Sequence, residues 1–234
     1  MTTPRAVLFD AGGIFLLPQP ARIIGAFVRA ELQVTAAQLV DAHYRAAAEF
    51  STALDVDGDW SGSWQRYLDT YVEACSVAPE DREELHRHLD SEFADAALWL
   101  EVIPEARTGL QAIADTGVAL GVVSNADGEM ANRLRTLEIL QVGPGLGVEV
   151  ACVIDSGAVG VMKPDPRIFD LALTAMGIEA SDAWYIGDMP AFDIVGAQRA
   201  GLRPFLMDPL GLHHDAAYDR VGSLAELADR VATA

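Results

Sequence analysis

The sequence predicts an α/β fold, a doubly wound parallel sheet, with a small helical domain inserted into it. Two observations lead to this prediction. After residue 100, short apolar segments alternate with helical segments, a pattern typical of parallel strands joined by right-handed crossover helices. Residues 18–100, in contrast, show almost no strand pattern and carry segments with helical periodicity.

Five apolar segments predict the strands of the sheet. The first, residues 6–9, is uniformly apolar, as expected of a parallel strand buried on both faces, and Gly12–Gly13 then predicts a turn. The other four strands are predicted at residues 118–123, 148–154, 183–186 and 204–207.

Helical periodicity fills the intervals between these strands. A glycine directly follows three of the four predicted helices, which is a common way for a helix to end. The last helix is predicted from a capping box formed by Ser223 and Glu226. The four helices are predicted at residues 104–116, 166–176, 192–200 and 223–232.

The inserted segment begins soon after the first strand. We predict a core domain made of residues 1–16 and 101–234, and a helical cap domain made of residues 17–100. The cap helices are predicted at residues 21–32, 36–53, 63–75 and 80–98.

Composition and charge exclude several functional classes. Of 234 residues, 51% are hydrophobic and 22% are charged, which is typical of a globular protein. No apolar run approaches the ~20 residues that span a bilayer, and Met1–Pro4 lacks the features of a signal peptide. We therefore expect a complete, cytoplasmic chain.

The net charge of −19 disfavours binding to nucleic acid or to anionic membranes. A small molecule is therefore the expected partner, and a homodimer is compatible with the sequence.

Polar side chains stand at the ends of the predicted strands. Asp10 follows the first strand, Ser124 the second and Asp188 the fourth, while Lys163, the only lysine, lies in the loop after the third. The carboxyl ends of parallel strands are where open α/β sheets bind ligands. Taken singly, Ser124 could be an ordinary turn residue and Asp188 a helix cap; their shared position suggests one site.

These residues stand in the segments LFDAGGI, VVSNAD, KPDPRIF and YIGDMPAFDIVGAQRAG. In this order the segments resemble the four motifs of the haloacid dehalogenase-like (HAD) hydrolase superfamily. The resemblance extends over the whole chain, with the helical cap between the first two motifs. It implies a hydrolase with a Rossmann-type core, most often a phosphatase acting on a small metabolite.

The resemblance also implies catalytic roles. Asp10 would be the nucleophile and would form an acyl-phosphate, which splits one displacement into two easier steps. Ser124 and the backbone amide of Asn125 would bind a phosphoryl oxygen of the substrate. Lys163 would neutralise charge on the nucleophile and on the phosphoryl group.

A magnesium ion is the cofactor that the resemblance implies. Mg²⁺ prefers hard oxygen ligands. The carboxylates of Asp10 and Asp188 and the backbone carbonyl of Gly12 would coordinate it. Asp193 would hold a metal-bound water or orient Lys163.

Gly12 departs from the pattern of the superfamily's phosphatases, which carry there a second aspartate that protonates the leaving group. Loss of a general acid–base costs about 10²–10⁴ in rate. Three possibilities remain open: a phosphatase whose leaving group needs little protonation, such as an aryl or acyl phosphate; a phosphatase whose acid comes from the cap; and a non-catalytic binder of a phosphorylated ligand. The candidate cap residues are His43, Glu49, Asp55, Asp57, Asp59 and Arg66.

Two further expectations concern the cap and the reaction class. Residues 55–62 are predicted to overhang the site, with Trp60 and Trp64 able to shape an apolar pocket. A 2-haloacid dehalogenase is a less favoured alternative, because such enzymes use no metal and lack the carboxylate that Asp188 supplies. Phosphonoacetaldehyde hydrolases need a cap lysine, and residues 18–100 contain none.

Overall fold

The computed structural model describes residues 3–50 and 61–234 and shows a mixed α/β fold. Its described strands are β1 (Ala6–Phe9), β2 (Leu16–Pro18), β3 (Trp99–Val102), β4 (Ala119–Ser124), β5 (Leu140–Val142), β6 (Val148–Val150), β7 (Cys152–Asp155), β8 (Ala183–Gly187), β9 (Arg203–Met207) and β10 (Asp219–Val221). Six of them form one parallel sheet in the order β10-β9-β8-β1-β4-β7. The predicted doubly wound parallel sheet is confirmed.

Most helices of the described chain lie between these strands in sequence, and the last one follows β10. They are α1 (Pro20–Arg29), α2 (Ala36–Phe50), α3 (Ser61–Ala74), α4 (Arg82–Phe93), α5 (Ala106–Ala114), α6 (Met130–Thr136), α7 (Ser156–Val159), α8 (Arg167–Met176), α9 (Val195–Arg199) and α10 (Leu224–Ala232). A π-helical turn, Pro190–Ile194, precedes α9. Within the described ranges, no helix combines the length and the apolar character needed to cross a bilayer.

Strand β1 is the centre of the sheet, and its four residues are fully buried. Successive side chains of a strand point to opposite faces. Val7 and Phe9 accordingly belong to the apolar cluster that includes α5 and α10, while Ala6 and Leu8 belong to the cluster that includes α8. Helices therefore cover both faces of β1, which explains its uniformly apolar sequence.

The strand predicted at residues 148–154 is wrong in its extent, because two strands occupy that range. β6 pairs with β5 in a separate two-stranded sheet, and β7 pairs with β4 in the main sheet. The exposed Ala151 separates them. An apolar-rich segment does not show where a chain leaves one sheet and enters another, so periodicity alone missed the break.

Helices α1–α4 lie between the antiparallel strands β2 and β3. They share an apolar cluster of their own, which contains Phe27, Tyr67 and Leu85 among others. The predicted helix at residues 80–98 is too long, since α4 ends at Phe93 and Asp95 caps a short 3₁₀ turn before β3 begins. The division into core and cap domains remains a prediction, with β2 and β3 closing the base of the insert.

Candidate active site

The carboxyl ends of β1, β4 and β8 bring the predicted site residues together. The backbone N–H of Asp10 donates to the carbonyl of Ile186 at 2.8 Å, which extends the β1–β8 ladder by one residue. Ser124 is the last residue of β4, and Asp188 directly follows β8. The chain runs from β1 outward to β7 and then returns to β8 on the other side of β1, so the strand order reverses here. Ligands of open α/β sheets bind at such a reversal.

Lys163 forms the centre of a buried charge cluster. Its ammonium nitrogen lies 2.8 Å from Asp10 Oδ1 and 2.7 Å from Asp193 Oδ1. It also donates to the hydroxyl of Tyr185 at 3.0 Å, and all three partners are buried. Burial alone would lower the pKa of Lys163, but Asp10 and Asp193 outweigh this effect and raise it. The lysine is therefore a fixed positive charge.

Asn125 fixes the loop that carries Lys163. Its side-chain carbonyl accepts a hydrogen bond from the backbone N–H of Lys163 at 2.8 Å, and its amide donates to the backbone carbonyl of Lys163 at 3.1 Å. The side chain thus bonds with both backbone polar groups of one residue across 38 positions of sequence. With its side chain bonded to Lys163, Asn125 retains its backbone amide as the group predicted to bind a phosphoryl oxygen.

Three carboxylates meet beside this lysine. One oxygen from each of Asp10, Asp188 and Asp193 lies within 4.8 Å of the others. Asp10 Oδ1 and Asp188 Oδ2 are buried, and their close partners in the described chain are Lys163 Nζ at 2.8 Å and His43 Nε2 at 3.0 Å, respectively. Three buried carboxylates and one lysine leave an excess of negative charge, which is costly to bury unless it is compensated. This set of hard oxygen donors fits a divalent cation such as Mg²⁺.

The carboxyl group of Asp10 responds to this crowding. Burial raises its pKa to about 7; Lys163 opposes the shift, whereas Asp193 and Asp188 add to it. A second cation near Asp10 would favour the ionised form of the carboxyl, which is the form that acts as a nucleophile.

Two glycines allow the carboxylates to approach so closely. A side chain at Gly13 would place its Cβ 2.3 Å from Asp188 Cγ, and Gly13 also has a φ of +64°. A Cβ at Gly187 would lie 2.1 Å from Asp193 Cγ. Both distances are impossible for real atoms, so these positions must lack a side chain for the cluster to form.

The inserted helices contribute two neighbouring residues of α2 to the site. His43 Nε2 lies 3.0 Å from Asp188 Oδ2, and His43 Nδ1 lies 2.9 Å from the hydroxyl of Tyr67. Tyr44 donates from its hydroxyl to the carbonyl of Gly13 at 2.8 Å. His43 is 1% exposed, so it is held at the carboxylate cluster.

The other cap candidates lie elsewhere. Glu49 and Arg66 contact each other at 3.5 Å on the surface and do not line the cavity above the cluster. Asp55, Asp57, Asp59 and Trp60 lie outside the described residues.

A cavity of about 520 Å³ opens above the cluster, between the sheet edge and the inserted helices. Every residue of the predicted site lines it: Asp10, Gly12, Ser124, Asn125, Lys163, Asp188 and Asp193. This volume is typical of small-molecule sites.

Sequence reasoning missed Tyr185 and Trp99. Tyr185 lies within an apolar strand, and only the fold shows that its hydroxyl reaches Lys163 and Asp193, at 3.0 and 2.9 Å. Trp99 lies at the end of the insert, and its ring is 3.5 Å from where a Cβ of residue 12 would be. Tyr185 opens the fourth motif segment, but the resemblance assigns it no role, and none of the four segments contains Trp99.

The sequence matches a known protein family over most of its length. The model of the haloacid dehalogenase-like hydrolase family matches residues 4–201. Phosphoserine phosphatase of Thermus thermophilus is 33% identical over 186 residues, which cover 77% of this chain and 70% of that protein. Haloacid dehalogenase-like hydrolase domain-containing protein 3 of Danio rerio is 30% identical over 186 residues, covering 77% and 74% of the two chains.

Solved structures share the fold at lower identity. A HAD phosphatase from Thermococcus onnurineus aligns with a TM-score of 0.57 at 21% identity and covers 97% of both chains. A 2-haloacid dehalogenase from Pseudomonas syringae pv. Tomato aligns with a TM-score of 0.55 at 24% identity, covering 98% of this chain and 99% of that one. Because both phosphatases and dehalogenases share this fold, the fold alone does not determine the reaction.

The positioning role of the Asn125 side chain can be tested by measuring the free energy of unfolding. We expect Asn125→Ala to lower the free energy of unfolding by about 1–3 kcal/mol, because it leaves two backbone groups of Lys163 without their partner. Asn132→Ala is the matched control, since Asn132 is bonded only at the exposed surface of α6, and it should change stability by less than about 0.5 kcal/mol. Urea unfolding followed by circular dichroism measures both. Equal effects of the two substitutions would contradict the positioning role.

Proposed function

The chain belongs to the haloacid dehalogenase-like hydrolase family, and from this premise we propose that it is a magnesium-dependent phosphatase of a small metabolite, with Asp10 as its nucleophile. The observation that carries the proposal is the contact of Asp10 with Lys163 at 2.8 Å, beside two further carboxylates. Relatives whose names describe phosphatases support a phosphoryl group as the target.

Asp10 would attack a phosphorus atom bound in the cavity. Its Oδ1 contacts Lys163, its Oδ2 lies 4.0 Å from where a Cβ of Gly12 would be, and both Asp10 and Gly12 line the cavity. Attack by the carboxylate would form an aspartyl-phosphate and release the alcohol part of the ester. Water would then cleave the acyl-phosphate, releasing phosphate and restoring Asp10.

Lys163 and Ser124 would stabilise the charge of the transferring group. Phosphoryl transfer depends mainly on positioning and on neutralising charge at the equatorial oxygens. Lys163 is held by Asp193, Tyr185 and the side chain of Asn125, so little reorganisation is needed when the substrate binds. Ser124 and the backbone amide of Asn125 line the same end of the cavity.

The carboxylates of Asp10 and Asp188 and the carbonyl of Gly12 would hold Mg²⁺, with Asp193 nearby. When bound, the ion supplies positive charge for the phosphoryl oxygens. Asp193 lies 2.7 Å from Lys163 and accepts a hydrogen bond from the backbone N–H of Met189 at 2.9 Å, which favours its role as the residue that orients the lysine.

Two alternatives follow from specific residues. Gly12 lacks the acid of typical phosphatases, which favours a non-catalytic binder of a phosphorylated ligand. The dehalogenase alternative is supported by shared fold alone, and Asp188 counts against it. Both make different predictions from the phosphatase proposal.

We expect wild-type protein to release phosphate from p-nitrophenyl phosphate in Mg²⁺ and to lose this activity in EDTA. Asp10→Asn should lower the rate by roughly 10³-fold or more, because the nucleophile is gone. Asp41→Asn, at an exposed position of α2, is the matched control and should retain wild-type activity. Phosphate release is measured in a coupled assay. Full activity of Asp10→Asn would refute the proposal, and halide release from a 2-haloacid in EDTA would support the dehalogenase instead.

Restoring the missing acid should broaden the range of substrates. A Cβ at residue 12 would lie 3.5 Å from the Trp99 ring and 4.0 Å from Asp10 Oδ2, which are ordinary contacts, so the backbone accepts a Cβ at this position. We expect Gly12→Asp to raise kcat/KM for an alkyl phosphate such as glycerol phosphate by about 10²-fold or more, because the new carboxyl can protonate the leaving alcohol. Gly12→Ala adds the same Cβ without the acid and should give no such gain. An equal gain in both variants would contradict this explanation.

A further inference from the structure

The cavity above Asp10 has two chemically different ends. The end at the sheet edge is polar and carries Asp10, Ser124, Lys163 and Asp188. The end towards the inserted helices is aromatic. Its rings are those of Phe50, Trp64, Phe93, Trp99 and Phe192.

These rings form one continuous surface. The ring centroid of Phe192, in the π-helical turn, lies 5.2 Å from that of Phe50, and the Phe50 ring lies 6.5 Å from Trp64. Phe93 lies 5.6 Å from Trp64 and 6.4 Å from Trp99. Tilted and edge-to-face arrangements at these distances are the favoured geometries of packed aromatic rings. The surface therefore joins four elements of the insert, namely α2, α3, α4 and β3, to the core.

The aromatic surface begins directly beside the nucleophile. The Trp99 ring stands 3.5 Å from the Cβ position of residue 12, and Asp10 Oδ2 lies 4.0 Å from the same point. The attacking and leaving oxygens of phosphoryl transfer lie roughly in line. A phosphoryl group at Asp10 would therefore direct its leaving group away from the sheet and against these rings.

The cations that line the described part of the cavity are already paired with carboxylates. Lys163 is bonded to Asp10 and Asp193. Arg133 donates to both carboxylate oxygens of Asp127 from its two terminal nitrogens, each at 2.6 Å. A carboxylate or a second phosphate on the leaving group would have to displace one of these pairs, so the lining favours an uncharged group.

We propose that the cavity takes a phosphate monoester whose alcohol part is an uncharged aromatic group. This inference rests on the proposed phosphatase function and adds the class of substrate. It agrees with Gly12, because an aryl oxide leaves as an anion and needs no proton from the enzyme. It also separates this chain from a phosphatase of phosphoserine, whose leaving group carries a carboxylate and an ammonium group.

Binding of phosphonates tests the proposed class of substrate. The enzyme cannot hydrolyse a phosphonate, so the reactivity of a leaving group does not affect the result. Isothermal titration of the wild-type protein in Mg²⁺ compares methylphosphonate, benzylphosphonate and phosphonoacetate. We expect benzylphosphonate to bind roughly tenfold or more tightly than methylphosphonate, because its ring leaves water for an apolar surface. Phosphonoacetate should bind no more tightly than methylphosphonate.

The possible results distinguish the aromatic substrate class from the phosphatase function on which it rests. Equal affinities for methylphosphonate and benzylphosphonate, or a preference for phosphonoacetate, would overturn the aromatic class while leaving the phosphoryl site intact. Failure of all three phosphonates to bind would overturn the proposed function, and the inference with it.

A substitution in the aromatic surface provides the second test. Trp64→Ala should weaken benzylphosphonate several-fold and leave methylphosphonate unchanged, whereas Trp64→Phe, which keeps a ring, should lose less. Val28→Ala, at a residue of α1 that is 63% exposed, is the control and should change neither affinity. Equal weakening of both ligands by Trp64→Ala would contradict direct contact with the ring. If that variant does not fold, the comparison in the wild-type protein still decides.

Discussion

The ion pairs of one buried ammonium group, that of Lys163, hold the site together. Removing charged groups from water is costly, and a buried charge persists only when it is paired and hydrogen-bonded. Lys163 meets both conditions through Asp10, Asp193 and Tyr185, at 2.8, 2.7 and 3.0 Å. It compensates one of the three clustered carboxylates, and the remaining negative charge makes the site suited to a divalent cation. In the proposed function, this arrangement, which is costly for folding, would prepare the site for a dianionic phosphoryl group and a metal ion.

The backbone around the cluster is adapted to it. Gly13 and Gly187 leave room for Asp188 and Asp193, and Asn125 secures the backbone of Lys163 from a neighbouring strand end. The two glycines and the side chain of Asn125 have no part in the proposed reaction, yet the distances between the charged atoms depend on them. Preorganised charge of this kind accounts for much of the rate enhancement in enzymes, because no reorganisation is needed during the reaction.

The core of the fold could be predicted from the sequence, because its strands are short, buried and bounded by glycines. The parallel sheet and the residues at its edge follow from apolar runs such as Ala6–Phe9 and from the polar residues behind them. The break within residues 148–154 could not be predicted, since it depends on which partner strand lies alongside. The residues of the insert that contact the site could not be predicted either. The sequence offers His43 as one of six cap candidates, and only the packing of α2 against the sheet edge brings its Nε2 within 3.0 Å of Asp188 Oδ2. Tyr185 stands in the fourth motif segment without an assigned role and Trp99 in none of the four segments, so the contacts of these two side chains follow from tertiary distances alone.

Direct detection of phosphorylated Asp10 is the closest test of its role as the nucleophile. The protein is mixed with p-nitrophenyl phosphate and Mg²⁺, quenched in acid during turnover and digested, and the peptides are analysed by mass spectrometry. We expect a phosphoryl group on the peptide that contains Asp10, and none on this peptide when EDTA replaces Mg²⁺. Turnover with the phosphoryl group on another residue, or with no phosphorylated residue at any stage, would contradict the role of Asp10 as the nucleophile.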